Sequence, residues 1–400
     1  MESTSPFQTL PVELIYRMLD LLDAKDILFS FGHVCRRFYT IAHNYNSLSI
    51  KFTYDSPIAD IRRLCRVLKP ENIVVLSLKN SLYRSKNNAI QLFLRCTFIC
   101  QMTRLRSLSI GDVEEYDLQT IMHVLITTST LTSLSLKMNK IKILTNDSIV
   151  LLSAMVAIPS LHKLTLVVDR KIIDQILWPN PCTIQELRIR TCTDENLFNI
   201  LHQLSNLRIF GMNEFNIQSI NQIVQRTSYY QLTSFSFNYI SISIDKIEFL
   251  LSFFPSLIHL KLTTKAIQSY DFGKRFSQWE QEHFIGEKLP LLQKFDFDIS
   301  FMCDNNLNLE SILTPFCTSF WLEEKHWFVT AIYRHDNWGS ILTLQSSIFS
   351  TEIFPNKLSS NAVSYSATTR RSDNALKRSN DWNLRINLSW ISMVNIKCLL

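Results

Sequence analysis

A short phrase of apolar and polar positions returns along the middle of the chain. It has the form apolar-x-x-apolar-x-apolar and begins at Ile73, Leu105, Leu131, Leu161, Ile184, Leu207, Leu232, Leu257 and Leu292. Start-to-start separations are 32, 26, 30, 23, 23, 25, 25 and 35 residues. The alternation that closes each phrase is what a half-buried strand needs, because successive side chains point to opposite faces. Between phrases the apolar spacing lengthens to the helical period. Leu118, Ile121, Met122 and Leu125 lie at i, i+3, i+4 and i+7, and Ile247, Leu250, Leu251 and Phe254 repeat that spacing. Leu197, Ile200, Leu201 and Leu204 do so behind Thr193, a candidate N-cap, with Asp194 and Glu195 in the first turn. Each unit reads as a strand followed by a helix. One such unit cannot bury its apolar face, whereas a stack of them buries a continuous core.

The first 45 residues carry a different pattern. Pro11 suits the first position of a helix, where its missing N–H costs nothing. Glu13 favours the positive end of that helix, and Leu14, Met18, Leu21 and Leu22 follow at helical spacing with Ile15 and Leu19 beside them. Asp23, Ala24 and Lys25 break the run. A second short helix is predicted over Ile27, Leu28 and Phe31, ending near Gly32. A third carries Val34, Cys35, Phe38, Ile41 and Ala42, with Arg36 and Arg37 facing water. A unit of roughly 40 residues rarely folds alone. Its surplus apolar face is expected to meet a partner.

The order Leu10-Pro11, Glu13-Leu14, then Asp26-Ile27-Leu28, then Val34-Cys35-Arg36-Arg37-Phe38 resembles the F-box, over Phe7 to Tyr45. The recurring phrases, whose inner spacings fall in the period of about 20–29 residues, resemble leucine-rich repeats. Together they imply an α/β chain in four parts. A three-helix F-box (1–50) precedes a leucine-rich-repeat solenoid of about nine strand-helix repeats (51–305). A C-terminal cap with a β-hairpin (306–354) and a Ser/Asn-rich basic tail (355–400), read as a mobile linker from Asn356 to Asn380, complete it. The resemblance implies a substrate-recognition adaptor of an SCF-type cullin-RING ubiquitin ligase, without catalysis of its own. In that family the F-box docks on a Skp-type adaptor, which leads to a cullin scaffold. The matching positions are Leu10, Pro11, Leu14, Ile15, Leu19, Ile27, Leu28, Val34, Cys35 and Phe38, some of which must be internal core. The alternative is a ligase-independent scaffold or inhibitor. The family usually follows each strand with a buried Asn or Cys. Only Asn139 and Cys192 fit; other copies offer Val113, Phe215, Ile240 or Lys265, so the repeats resemble the longer, irregular kind.

After Ser300 the phrase fades. His326–Arg334 and Ser340–Ser346 alternate like strands, with Asp336, Asn337 and Gly339 between them as a turn. The expected target-binding surface is the concave face of the array. Its outward strand positions include Lys79, Lys137, Lys163, Glu186, Arg188, Arg190, Asn213, Asn238, His259, Lys261, Asp296 and Asp298. Among these Lys137, Lys163, Arg188, Arg190 and Lys261 are the candidates to hold an acidic or phosphorylated segment of a protein target, with Glu186 available to neutralise its neighbours.

Charge and composition narrow the function classes. The formal charge is +6, and seven Lys/Arg face only Asp373 and Asp381 between Pro355 and Leu400. The body is therefore close to neutral, which argues against nucleic acid or an anionic membrane as partner. The nine cysteines show no CxxC and no zinc spacing, and read as small hydrophobes in a reducing compartment. The six glycines are scattered singly, so neither a P-loop nor a dinucleotide fingerprint is present. No metal, cofactor or catalytic motif is expected; His326 and His335 near Asp336 read as decoration of the hairpin. The start, MESTSPFQTL, lacks the features of a secretory signal, and the longest apolar stretch, Ile149–Ile158, is half the length of a membrane helix. A cytoplasmic protein is expected, with Arg370-Arg371 and Lys377-Arg378 as a candidate nuclear-import signal.

Overall fold

The structure is a computed structural model. It describes residues 9–53, 55–80, 89–96, 99–127, 130–138, 143–216, 228–239, 243–264, 284–303, 312–336, 339–347 and 363–367. The fold is α/β, with mostly parallel strands alternating with helices. Two compact units divide the chain, Met1–Met212 and Asn213–Leu400.

The first unit opens with helix α1 (Val12–Leu19), a π-helical turn at Asp26–Ser30, a 3-10 turn at Phe31–His33 and helix α2 (Arg36–Asn44). Pro11 stands one residue ahead of the helix it was expected to begin, with φ −55° and ψ 143°. The expected second helix is not a regular one. The Asp23 carboxylate accepts from the Asp26 N–H at its start. At its end Gly32 lies so close to the Ile27 carbonyl and Ala42 that a Cβ would stand 3.3 and 3.4 Å from them. Only one turn fits between. Val34 and Cys35 precede α2 rather than belonging to it, Cys35 being fully extended.

Strand β1 (Leu48–Phe52) and helix α3 (Ile58–Val67) follow, neither of them predicted. β1 alternates but lacks the opening leucine of the phrase, and the apolar residues of α3 are diluted by Arg62, Arg63 and Arg66. Next come β2 (Ile73–Lys79), α4 (Ala89–Cys96), β3 (Ser107–Gly111), α5 (Glu115–Thr127), β4 (Ser133–Lys137) and α6 (Asn146–Val156). β5 (Lys163–Val167), the single turn α7 (Arg170–Ile173), β6 (Glu186–Thr193) and α8 (Asp194–Gln203) complete the alternation, and β7 (Ile209–Asn216) carries the chain across the division. Each of β1 to β5 pairs with the next in parallel.

The register puts equivalent phrase positions side by side. Leu76, Leu108, Leu134, Leu164 and Leu187 form one row across β2–β6, and Leu78, Ile110, Leu136, Leu166 and Ile189 form the next. All ten are 2% exposed or less. Burying one such side chain is worth about 1.5–3 kcal/mol, so the two rows are the spine of the unit. The strand entries repeat as well. The Thr132 and Ser133 N–H groups share the Arg106 carbonyl, those of His162 and Lys163 share Thr132, those of Gln185 and Glu186 share His162, and those of Arg208 and Ile209 share Gln185. A side chain just before the phrase ties each repeat to the one before: Thr130 donates to the Leu105 carbonyl, Ser160 to Leu131 and Thr183 to Leu161, at 2.8–3.0 Å. These hydroxyls satisfy buried turn carbonyls. Helix starts follow the sequence. The Thr193 hydroxyl accepts from the Asn196 N–H, as the predicted cap, and Thr145 does the same for α6.

The second unit holds β8 (Ser234–Phe237), α9 (Ile244–Leu251), β9 (His259–Thr263), a short helix at Phe284–Lys288 and β10 (Lys294–Cys303). β8, β9 and β10 are parallel neighbours. The expected hairpin is present as β11 (Phe328–Asp336) and β12 (Gly339–Ser347), each starting within two residues of its predicted position, and β12 pairs antiparallel with β10. Phe295, Phe297, Phe316, Trp321 and Trp327 pack as one aromatic cluster beneath it, Trp321 lying 5.0 Å from Phe316 and 5.5 Å from Trp327. One part of the tail departs from expectation. Val363–Ala367, inside the stretch read as a mobile linker, forms β13 and pairs antiparallel with β11. Its alternating Val-Ser-Tyr-Ser-Ala suits an edge whose backbone groups need partners. Asn139, Ile240, Lys265 and residues 368–400 lie outside the described residues.

Candidate functional site

Two surfaces in the first unit gather the residues singled out from the sequence. The first is the N-terminal head. Arg37 donates to the Leu10 carbonyl, which brings the Leu10-Pro11 start beside the Val34-Cys35-Arg36-Arg37 run. The ten candidate docking positions then separate. Ile15, Leu19, Ile27, Leu28 and Phe38 are buried and form the head's own core. Leu10 and Cys35 are half-buried, and Pro11, Leu14 and Val34 are exposed. Leu14 is 45% exposed and Val34 67%. Met18, Leu21, Leu22 and Tyr39, outside the ten, are exposed too, Leu21 at 87%. On a head this small these side chains leave a dense set of apolar groups in water. The head is fixed to the first strand-helix unit by the Lys25–Asp60 ion pair at 2.7 Å and by Arg63 over the Phe29 ring at 4.3 Å.

The second surface is the face of β4–β6 opposite the leucine rows. Ser133, Lys163 and Glu186 lie in one register row, and Ser135, Thr165 and Arg188 in the next. Glu186 is the hinge of the charge pattern. Its carboxylate takes Lys163 at 3.0 Å on one oxygen and the Arg188 Nε at 2.8 Å on the other. Burial alone would raise this carboxyl, but the hydrogen bonds and charges of Arg188 and Lys163 outweigh it and hold its pKa below the ordinary value. Lys137 stands opposite Val167, and Arg190 lies two residues beyond Arg188 on the same face. No ion pair joins Lys137 or Arg190 to a described residue. Lys261 belongs to the second unit, between Ser236 and Asp296 on the neighbouring strands, and is not part of this group.

The second unit repeats the motif of one carboxylate shared by two nitrogen-bearing side chains. His259 Nε2 and Lys294 Nζ both lie 2.9 Å from Asp296 Oδ2, and His259 Nδ1 is 3.4 Å from the Ser234 hydroxyl. Further along, Asn238 donates to Asn213 and accepts from Thr263, each at 3.0 Å. Lys294 was not singled out from the sequence. The signal was available, since it occupies the same phrase position as Lys163, Glu186 and His259.

Cys182 and Cys192 are buried, and burial raises both thiols above their ordinary pKa, which makes them inert. Cys100 and Cys317 are exposed, so the expectation of small buried hydrophobes fits only part of the set. His326 Nδ1 lies 3.1 Å from the Leu322 carbonyl at a turn with φ 55°; the side chains of His335 and Asp336 lie outside the described residues. Among the described residues no group of three or more His, Cys, Asp or Glu is placed to hold a metal ion, and no helix is long and apolar enough to cross a membrane. No family model and no curated protein matches the chain.

Proposed function

We propose that the chain is the substrate-recognition subunit of an SCF-type cullin-RING ubiquitin ligase. In this reading Phe7–Tyr45 is an F-box that docks on a Skp-type adaptor, and the strand-helix units are irregular leucine-rich repeats whose open face binds the target protein. The observation that carries it is the head. It buries Ile15, Leu19, Ile27, Leu28 and Phe38 to hold itself together and still exposes Pro11, Leu14, Met18, Leu21, Leu22 and Val34. That apolar surplus, in which Pro11, Leu14 and Val34 hold F-box pattern positions, suits a permanent partner better than open water. The open face supports the rest: its charged and hydroxyl side chains are held in rows by the strand register.

Affinity purification of the tagged full chain from cells tests the proposal. The Skp-type adaptor and a cullin are expected together in the eluate, and both are expected to be lost with Leu14→Asp and Val34→Asp in one chain. Recovery of the adaptor without any cullin favours the ligase-independent scaffold. Recovery of neither by the parent chain rejects the F-box reading.

A further inference from the structure

The basic residues of β5 and β6 are spaced along the strand rather than gathered round one point. Glu186, Arg188 and Arg190 alternate on the open face, so their Cα atoms step by ~6.6 Å. Lys163 stands beside Glu186 in register, and Lys137 stands beside Val167 on the far side of β5. The register sets Lys163 level with Glu186, Arg188 one step further on in the row of Ser135 and Thr165, and Lys137 in the row after that, opposite Val167, while Arg190 lies two residues beyond Arg188. Beside Arg188 the floor is low and hydroxylic, made by Ser135 and Thr165. Glu186 holds Lys163 and Arg188 in place through 3.0 and 2.8 Å contacts, yet both keep about half their side-chain surface in water, 48% and 54%. One carboxylate against four cations leaves the group at net +3, since 4 − 1 = 3.

We propose that this face binds an extended acidic segment of the target protein, with two carboxylates at alternate positions, one received by Arg188 and the other by Arg190. The inference rests on the reading of the repeats' open face as the target-binding surface. In an extended chain side chains two residues apart point the same way and lie ~6.6 Å apart, which is the step from Arg188 to Arg190. A single phosphate, by contrast, calls for donors that converge on one spot. Glu186 adds selectivity: a third carboxylate one step before Arg188 would meet like charge.

Fluorescence anisotropy with three labelled nine-residue Ser/Thr peptides and the full chain tests this at low ionic strength. The first carries Glu at its fourth and sixth positions, the second Glu at its fourth and fifth, the third a single phosphoserine at its fifth. The first is expected to bind at least fivefold tighter than the second, which has equal charge but presents its carboxylates to opposite sides. Arg190→Gln, at a half-buried position of β6, is expected to abolish that preference while the thermal melt stays unchanged. Equal binding of the first two peptides, or an unaltered preference in the variant, overturns the proposal. Tighter binding of the phosphoserine peptide overturns it in favour of a point-like anion. Adaptor capture by the same preparation is scored separately. Adaptor binding without peptide discrimination removes this inference alone, and discrimination without adaptor binding removes the ligase reading alone.

Discussion

Leu14 and Ile15 are neighbours in the sequence with opposite fates: Leu14 is 45% exposed and Ile15 1%. Alanine at the two positions is therefore expected to act on different quantities. Ile15→Ala removes buried methyl groups and leaves a cavity, at about 2–5 kcal/mol, read as a lower urea midpoint. Leu14→Ala is expected to leave that midpoint nearly unchanged and, combined with Val34→Ala, to weaken adaptor binding at least ~tenfold in calorimetry. A large stability loss in the Leu14 variant would contradict the division of the head into core and docking surface. Sequence alone could not make this division, because in a two-turn helix with apolar residues on adjacent positions the period does not say which stripe faces inward. Tyr45 offers a second residue-level test. Burial, then its hydrogen bond to Asp20 and that group's charge, raise its pKa from 10.0 to about 12. The folded value lies above the unfolded one, so the neutral phenol's contribution is complete below pH 10 and disappears as pH rises toward 12. Tyr45→Phe is expected to cost stability at neutral pH, by removing the donor to Asp20, and to flatten the alkaline decline in urea titrations. An unchanged decline in the variant would show that the Tyr45–Asp20 contact does not govern it.

At the scale of elements the leucine rows decide stability. Leu134 sits between Leu108 and Leu164 and is 1% exposed, so Leu134→Ala is expected to cost about 2–5 kcal/mol. Lys163→Ala, on the opposite face of the adjacent strand, should shift the melting temperature little, because an exposed ion pair contributes about 0–1 kcal/mol. Calorimetric melts of the two variants compare them directly, and equal shifts would contradict the register. These strands were legible because each phrase alternates and returns at a steady spacing. Helices α5, α8 and α9 were legible for the matching reason, a clean i, i+3, i+4, i+7 stripe, which in α8 follows an identifiable start at Thr193. Legibility fails where one of those signals is missing. β1 has alternation but no opening leucine, and α3 has a stripe crowded by arginines. β13 is five residues long and owes its existence to the edge of β11, a partner that no local pattern announces. The hydroxyls of Thr130, Ser160 and Thr183 recur one residue before the phrase, yet their role depends on a carbonyl in the preceding repeat. Charge on the open face was legible as a list of residues. That Glu186 holds two of those cations follows from register, which fixes Lys163 rather than Lys137 as its neighbour.

The first unit as a whole carries two surfaces that the fold keeps apart, and this leads to a prediction about the working protein. The head contacts the β1–α3 end, through Lys25 with Asp60 and Arg63 over Phe29. Strands β1 to β6 follow in order, so four strand spacings of ~4.8 Å separate β1 from Lys163 and five separate it from Arg188 and Arg190. Perturbations more than about 10 Å apart without shared partners generally add rather than couple. Reversing Arg188 and Arg190 to Glu is therefore expected to lose the target and keep the adaptor. The Leu14→Asp, Val34→Asp chain is expected to lose the adaptor and the cullin and keep the target. Quantitative co-precipitation of all three partners with the parent, each variant and the combined variant completes the comparison. The combined chain should lose all three partners, with each loss equal to that of its parent variant. Loss of the adaptor from the Arg188→Glu, Arg190→Glu chain would show that the two surfaces are coupled through the repeats. Full target recovery by that chain would move the target site off β6, to the carboxylate-centred group of His259, Lys294 and Asp296 as the next surface to test.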